Sequence, residues 1–132
     1  IAGHGRGEEN AEKLADFFNR TGPERVINFS LFLNRKAPLY EDIVNGSFEP
    51  ANEVENLKEA YKLIELIDTD LFYDGFHDAI SFRVWGSLPR DRAKLLRRLD
   101  EKIVEYSKKE PRYAFDIRVQ SVIDRNAHLA EV

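Results

Sequence analysis

The chain has 132 residues, 42% of them hydrophobic, which is one domain's length with enough apolar content for a core. Its 20 basic and 24 acidic side chains leave a net charge of -4, which gives no electrostatic ground for DNA or RNA binding. The absence of cysteine rules out a disulfide framework and is compatible with the cytoplasm, and no stretch reaches the apolar length of a membrane span or reads as a signal peptide.

Gly3-His4-Gly5-Arg6-Gly7 opens the chain and superficially suggests an anion loop, because glycines let backbone N–H groups approach a phosphate. It lacks the Lys-Ser/Thr of a P-loop and the third spaced glycine of a dinucleotide fingerprint, so a strand-to-helix turn is the plainer reading. Ala11, Leu14, Ala15 and Phe18 then follow helical spacing, Glu8 and Glu9 suit the positive end of the dipole, and Thr21-Gly22-Pro23 stops the helix.

Arg25 to Leu33 reads as a buried strand. Alternation places Ile27, Phe29, Leu31 and Leu33 on one face and Val26, Asn28, Ser30 and Phe32 on the other. The wholly apolar face is expected to pack helices, and Asn28 and Ser30 to point into a cavity, as in a barrel strand. With the opening turn this makes residues 1 to 33 a strand-helix-strand unit of parallel strands. Residues 34 to 52 are expected to form a long loop leaving the C-terminal end of that strand, where Arg35 and Lys36 are either cations for a bound carboxylate or phosphate or two solvated charges.

Asn52 with Glu55 three residues on is a capping-box signal, and Val54, Leu57, Ala60, Tyr61, Ile64 and Ile67 continue a helix over 53 to 68. Asp68, Asp70 and Asp74 read as an inter-helix turn, with a divalent-metal site as the alternative. Phe76 to Trp85 matches both helical and strand periods. Pro89 opens a third long helix with the stripe Leu96, Leu99, Ile103 and Tyr106. Its arginines (Arg90, Arg92, Arg97, Arg98) serve either an acidic partner or a solvated face. Tyr113, Phe115, Ile117 and Val119 alternate as a candidate C-terminal edge strand, and His4, His77 and His128 are too scattered to argue a metal site.

Several of these stretches belong together: Ile1-Ala2-Gly3-His4-Gly5, the helix opening Glu8-Glu9-Asn10-Ala11, the strand from Pro23 to Leu33, Ala37-Pro38-Leu39-Tyr40-Glu41-Asp42-Ile43, the turn Gly46-x-Phe48-x-Pro50, and Gly86-Ser87-Leu88-Pro89-Arg90-Asp91-Arg92. As a set they resemble the C-terminal half of a radical SAM enzyme core. The group is that of Fe-S oxidoreductases similar to oxygen-independent coproporphyrinogen oxidase or the elongator catalytic subunit. The resemblance covers residues 1 to about 110 and implies an α/β fold, the C-terminal portion of a partial TIM-type (β/α) barrel, with two parallel strands and about four helices. Residues 1–68 would be the barrel-type portion and 69–132 a C-terminal helical extension. It also favours helix at 76–85.

By the same resemblance, Gly3, His4 and Gly5 would lie beside the adenosyl group of S-adenosylmethionine, Asn28 and Ser30 in the SAM or substrate cavity, and Arg35 and Lys36 nearest the substrate. Two departures stand out. Ala37 occupies a position where the family has Thr or Ser, and the cysteine triplet that holds a [4Fe-4S] cluster is absent, which excludes thiolate ligation by this chain. The chain also lacks Met and begins at Ile1, so it reads as a fragment whose missing N-terminal part carries the cluster; alone it is expected to be inactive and to oligomerise through an open strand edge. The alternatives are an autonomous α/β interaction module without cofactor, and a phosphate-ligand enzyme built on the Gly3–Gly7 turn.

Overall fold

The computed structural model describes residues 2–31, 33–78 and 80–113. The elements run α1 (Gly7–Thr21), β1 (Arg25–Phe29), α2 (Pro38–Asn45), α3 (Glu53–Leu66), β2 (Leu71–His77), β3 (Phe82–Leu88) and α4 (Arg92–Ser107). Among the described residues the fold is mixed α/β: four helices and an open three-stranded sheet of order β1-β2-β3. β1 and β2 pair in parallel, Asn28 opposite Gly75, and β2 and β3 form an antiparallel hairpin, Gly75 opposite Val84.

The three long helices form where periodicity and caps place them. α1 ends on Gly22, whose φ of 59° suits a residue without Cβ and whose N–H donates to Phe18 O at 2.8 Å. α3 opens with the expected capping box: Asn52 Oδ1 accepts from Glu55 N–H and Glu55 Oε2 from Asn52 N–H, both at 3.0 Å. Helices α1, α3 and α4 lie on one face of the sheet, and Leu57, Leu63, Ile64, Ile67, Tyr73, Val84, Leu95 and Leu99 are the fully buried centre between the layers.

Four expectations are corrected. The segment 34–52 is not one loop: Pro38 starts the eight-residue α2, since its missing N–H is no loss in a first turn. Phe76 to Trp85 is not helical, because β2 and β3 pair across a turn in which Asp78 has a φ of 47°. The aspartates are therefore split, Asp68 and Asp70 being exposed ahead of β2 and Asp74 lying within it, and the portion expected to be a helical extension contributes two of the three strands among the described residues. The parallel partner of β1 is β2. Gly3 instead makes an isolated antiparallel bridge to Pro50.

The fourth correction concerns the faces of β1. Val26 is buried beneath the helices, whereas Ile27 and Phe29 remain 53% and 57% exposed. The apolar face of the strand is thus the bare one. Register places Asp74 and Trp85 beside Ile27, and Phe76 and Arg83 beside Phe29, on the same bare face. Beyond Tyr113, the candidate edge strand lies outside the described residues, as does His128.

Two turns of the resemblance have local physical causes. An added Cβ at Gly86 would lie 2.9 Å from Asp91 Cβ and Oδ2, so glycine there lets Asp91 fold back and accept from Ser87 N–H at 2.8 Å. Gly46 caps α2 with a φ of 81°, and the following Phe48-Glu49-Pro50 packs on Gly3, with His4 N–H donating to Glu49 O at 2.9 Å.

Candidate functional site

A cavity of about 320 Å³ opens at the C-terminal end of β1, between the sheet and helices α1, α2 and α3. The ends of parallel strands are where open α/β sheets collect ligands. Most of the wall is apolar, from Leu14, Phe18, Val26, Leu39, Ile43 and Leu63. Polar groups enter from three elements: Asn10 of α1, Asn28 of β1, and Asn56 and Glu59 of α3; Ser30 and His77 complete the set at the strand ends.

Asn28 Nδ2 donates to Tyr73 Oη at 3.1 Å, and Ser30 N–H donates to Phe76 O at 2.9 Å, which continues the β1–β2 ladder past Phe29. Tyr73 is completely buried, and that burial raises its pKa, so it is a neutral hydroxyl at any ordinary pH. His77 is 3% exposed and its Nε2 has no partner among the described residues. Burial alone brings its pKa down to about 4, so the ring is uncharged at neutral pH. Glu59 accepts from Asn10 Nδ2, and burial raises its carboxyl above the usual range.

The expected site residues are not gathered in one place. Asn28 and Ser30 line the cavity, on the helix side of the sheet. Gly3 and His4 line a shallower groove that adjoins it through Ala2, Asn10 and Phe48. In that opening turn the anion is supplied by the protein: Glu55 Oε1 accepts from Gly5 N–H at 2.9 Å and sits 2.8 Å from His4 Nδ1. The bond to Glu55 is the main cause that raises the His4 pKa, and Glu55 itself lies below its ordinary value, the bonds from Asn52, Gly5 and His4 outweighing its burial. A carboxylate already held by the Gly5 N–H argues against a phosphate loop. Arg35 and Lys36 are exposed and line neither depression.

The bare sheet face carries a second constellation. Arg83 donates through Nε and Nη2 to Asp74 Oδ1 and Oδ2 at 2.8 and 3.0 Å, a bidentate pair that lowers the Asp74 pKa. The same guanidinium lies over the rings of Phe76 and Trp85, and Phe76 stacks on Phe29 at 4.8 Å. The arginines in and just before α4 are largely engaged within the molecule. Arg92 donates to the Ile64 and Ile67 carbonyls at the end of α3, Arg90 pairs with Asp91, and Arg98 lies over Phe82 and Trp85.

Sequence reasoning missed His77, Glu59 and Asn10 in the cavity, the buried Tyr73 hydroxyl that holds Asn28, and Asp74 and Arg83 on the bare face. The signal for the last pair was available: residues nine apart with opposite charge are neighbours if a tight hairpin joins them. Among the described residues no group of three His, Cys, Asp or Glu side chains is placed to hold a metal ion. No helix among them is long and apolar enough to cross a membrane. Comparison with family models, with curated proteins and with solved structures finds no match to this chain.

Proposed function

We propose that the chain is the C-terminal part of a radical SAM enzyme in which β1 and β2 form a length of barrel wall. The observation that carries the reading is a parallel strand pair backed by helices on one face and bare on the other, where Ile27, Phe29 and Trp85 are 53%, 57% and 44% exposed. An apolar sheet face of this kind is normally covered. In this reading further strands, pairing at the free edge of β1, close over it, and Phe29, Asp74, Arg83 and Trp85 face the SAM and substrate space. Asn28 and Ser30 look to the helix side and support the wall, and the Gly3–Gly5 turn closes one end of α3.

The 132 residues hold no thiol, so they do not fit a [4Fe-4S] ligand set, and cluster ligation falls to residues outside this chain. What these residues supply is a rigid, paired cation and carboxylate among aromatic faces, able to orient a substrate. The test is anaerobic reconstitution of the complete gene product containing these residues, followed by assay of SAM cleavage to 5'-deoxyadenosine, with Asp74→Asn and Arg83→Gln alongside. Cleavage by the unaltered protein that is weakened in both variants supports the reading. A complete product that takes up no cluster and cleaves no SAM sinks it and leaves the alternative, an interaction module that uses the same bare face for a partner protein.

A further inference from the structure

Three asparagines from three elements line the cavity, and each spends its amide nitrogen inside the protein. Asn10 Nδ2 of α1 donates to Glu59 Oε1, Asn28 Nδ2 of β1 to Tyr73 Oη at 3.1 Å, and Asn56 Nδ2 of α3 to Glu53 Oε1 at 3.3 Å. None of the three Oδ1 atoms has a hydrogen-bond partner among the described residues, and neither does Glu59 Oε2. Enclosed polar side-chain atoms without a partner are confined, among those residues, to His77 Nε2 and Asp78 Oδ1. The four oxygens therefore keep accessible surface, on side chains that all line the cavity. What the polar part of the wall offers is acceptors.

These acceptors lie together. Asn56 and Glu59 stand three apart on α3 and share a face, and Asn10 is bonded to Glu59. Glu59 is also near enough for its charge to act on the Tyr73 hydroxyl that holds Asn28. No Lys or Arg lines the cavity, and Glu59 has no ion-pair partner among the described residues. From this geometry we propose that the cavity binds a small primary amine as its ammonium ion, the N–H groups donating to the asparagine oxygens and to the Glu59 carboxylate. The apolar body of the amine lies against Leu14, Phe18 and Leu63. An alcohol has one N–H or O–H donor fewer than this set requires and no charge, and an anion meets acceptors and a carboxylate. The volume of about 320 Å³ is at the small end for ligand sites. The site is on the helix side of the sheet, opposite the face assigned to the SAM and substrate space, and it stands whether or not that assignment holds.

The experiment titrates the 132-residue chain at pH 7 with phenethylammonium, phenethyl alcohol, phenethyltrimethylammonium and hydrocinnamate, observed by NMR at the asparagine side-chain amides and the Glu59 carboxyl carbon. Phenethylammonium is expected to shift Asn10, Asn28 and Asn56 saturably and to lower the pKa of Glu59. The alcohol and the trimethyl compound, which lack the charge and the N–H donors respectively, should bind at least about tenfold more weakly, and hydrocinnamate not at all. Glu59→Gln keeps an acceptor for Asn10 and removes the charge; it should cost about tenfold in amine affinity and leave the alcohol unchanged. If that variant does not fold, Asn56→Ala should weaken the amine about fivefold. An absence of saturable shifts, equal affinity for the amine and either weaker analogue, binding of hydrocinnamate, or unchanged amine affinity in the folded variant would each overturn the proposal.

Discussion

Substituting Glu53 by Gln is expected to stabilise the protein at neutral pH. Glu53 is 1% exposed at the first position of α3, with Oε2 accepting from Asp78 N–H and Oε1 from Asn56 Nδ2, both at 3.3 Å. Asp78, 4% exposed, is the better-held carboxylate: it accepts from Ser81 Oγ at 2.8 Å, Arg112 Nη1 at 3.1 Å and Tyr106 Oη, while its Oδ1 has no partner among the described residues. Burial first, and the Asp78 charge second, raise the Glu53 pKa in the folded state. A raised folded pKa means that the group's contribution is fully present below the unfolded value and is lost as pH rises through the folded one, so it is the ionised form of Glu53 that weakens the fold.

Glutamine keeps the acceptor for Asp78 N–H, while its amide nitrogen takes the place of the oxygen that accepts from Asn56 Nδ2, so that long bond is given up. Against this stands the loss of a negative charge at a helix N-terminus, about 0.3–1 kcal/mol. Removing the buried charge and its repulsion with Asp78, at the cost of one long bond, is worth about 1–2 kcal/mol. The net gain at pH 7 is therefore about 1 kcal/mol, or roughly 3–5 °C in Tm for a domain of this size. Thermal unfolding followed by circular dichroism at pH 7.5 and pH 4 reads both the gain and its disappearance as Glu53 protonates. A Gln variant less stable than the parent at pH 7.5, or a gain identical at both pH values, refutes the reasoning.

Leu57→Ala, at a fully buried position between the layers, should cost about 3 kcal/mol in denaturant unfolding; a loss under 1 kcal/mol would mean that α3 does not pack as described. The His4 imidazole, its pKa raised by the Glu55 bond, should titrate in NMR above its ordinary 6.5 and contribute stability that is present below that value and lost as pH rises through the folded pKa. Glu55→Gln should bring the midpoint back towards 6.5. The double substitution Phe29→Ser, Trp85→Ser on the bare face should leave unfolding free energy within about 0.5 kcal/mol per site while reducing self-association in sedimentation. A chain that is already a monodisperse monomer contradicts the expectation of self-association.

How far the sequence could be read depended on what each pattern encodes. α1 and α3 carry their boundaries in Gly22 and in the Asn52 and Glu55 pair, local signals that need no tertiary context. β1 was placed by its alternation, yet alternation separates two faces without saying which one helices cover. Here the choice fell to Val26 rather than to the richer Ile27 and Phe29 face. β2 escaped notice because its covered face reads Leu71, Tyr73, Gly75, His77 and its bare face includes Asp74, so neither is a continuous apolar row. What makes it a strand is non-local: pairing with β1 and β3, and an arginine from the neighbouring strand that neutralises Asp74. The contribution of His77 to the cavity was lost with it, since the residue reaches the cavity only from the end of β2.

The claim that β1 and β2 are a length of barrel wall is tested most directly at the edge of β1 that has no partner strand among the described residues. Ser30 N–H and Glu24 C=O both bond to β2, so by alternation the N–H groups of Arg25, Ile27 and Phe29 point to the open side. Hydrogen exchange should be measured at these three amides in the 132-residue chain under conditions that keep it monomeric, and again in the complete gene product that contains it. A barrel wall requires fast exchange in the first and protection of at least a hundredfold, about 2.7 kcal/mol, in the second, as a further strand pairs with β1. Equally fast exchange in both would mean that nothing completes the sheet, and the barrel reading would fall.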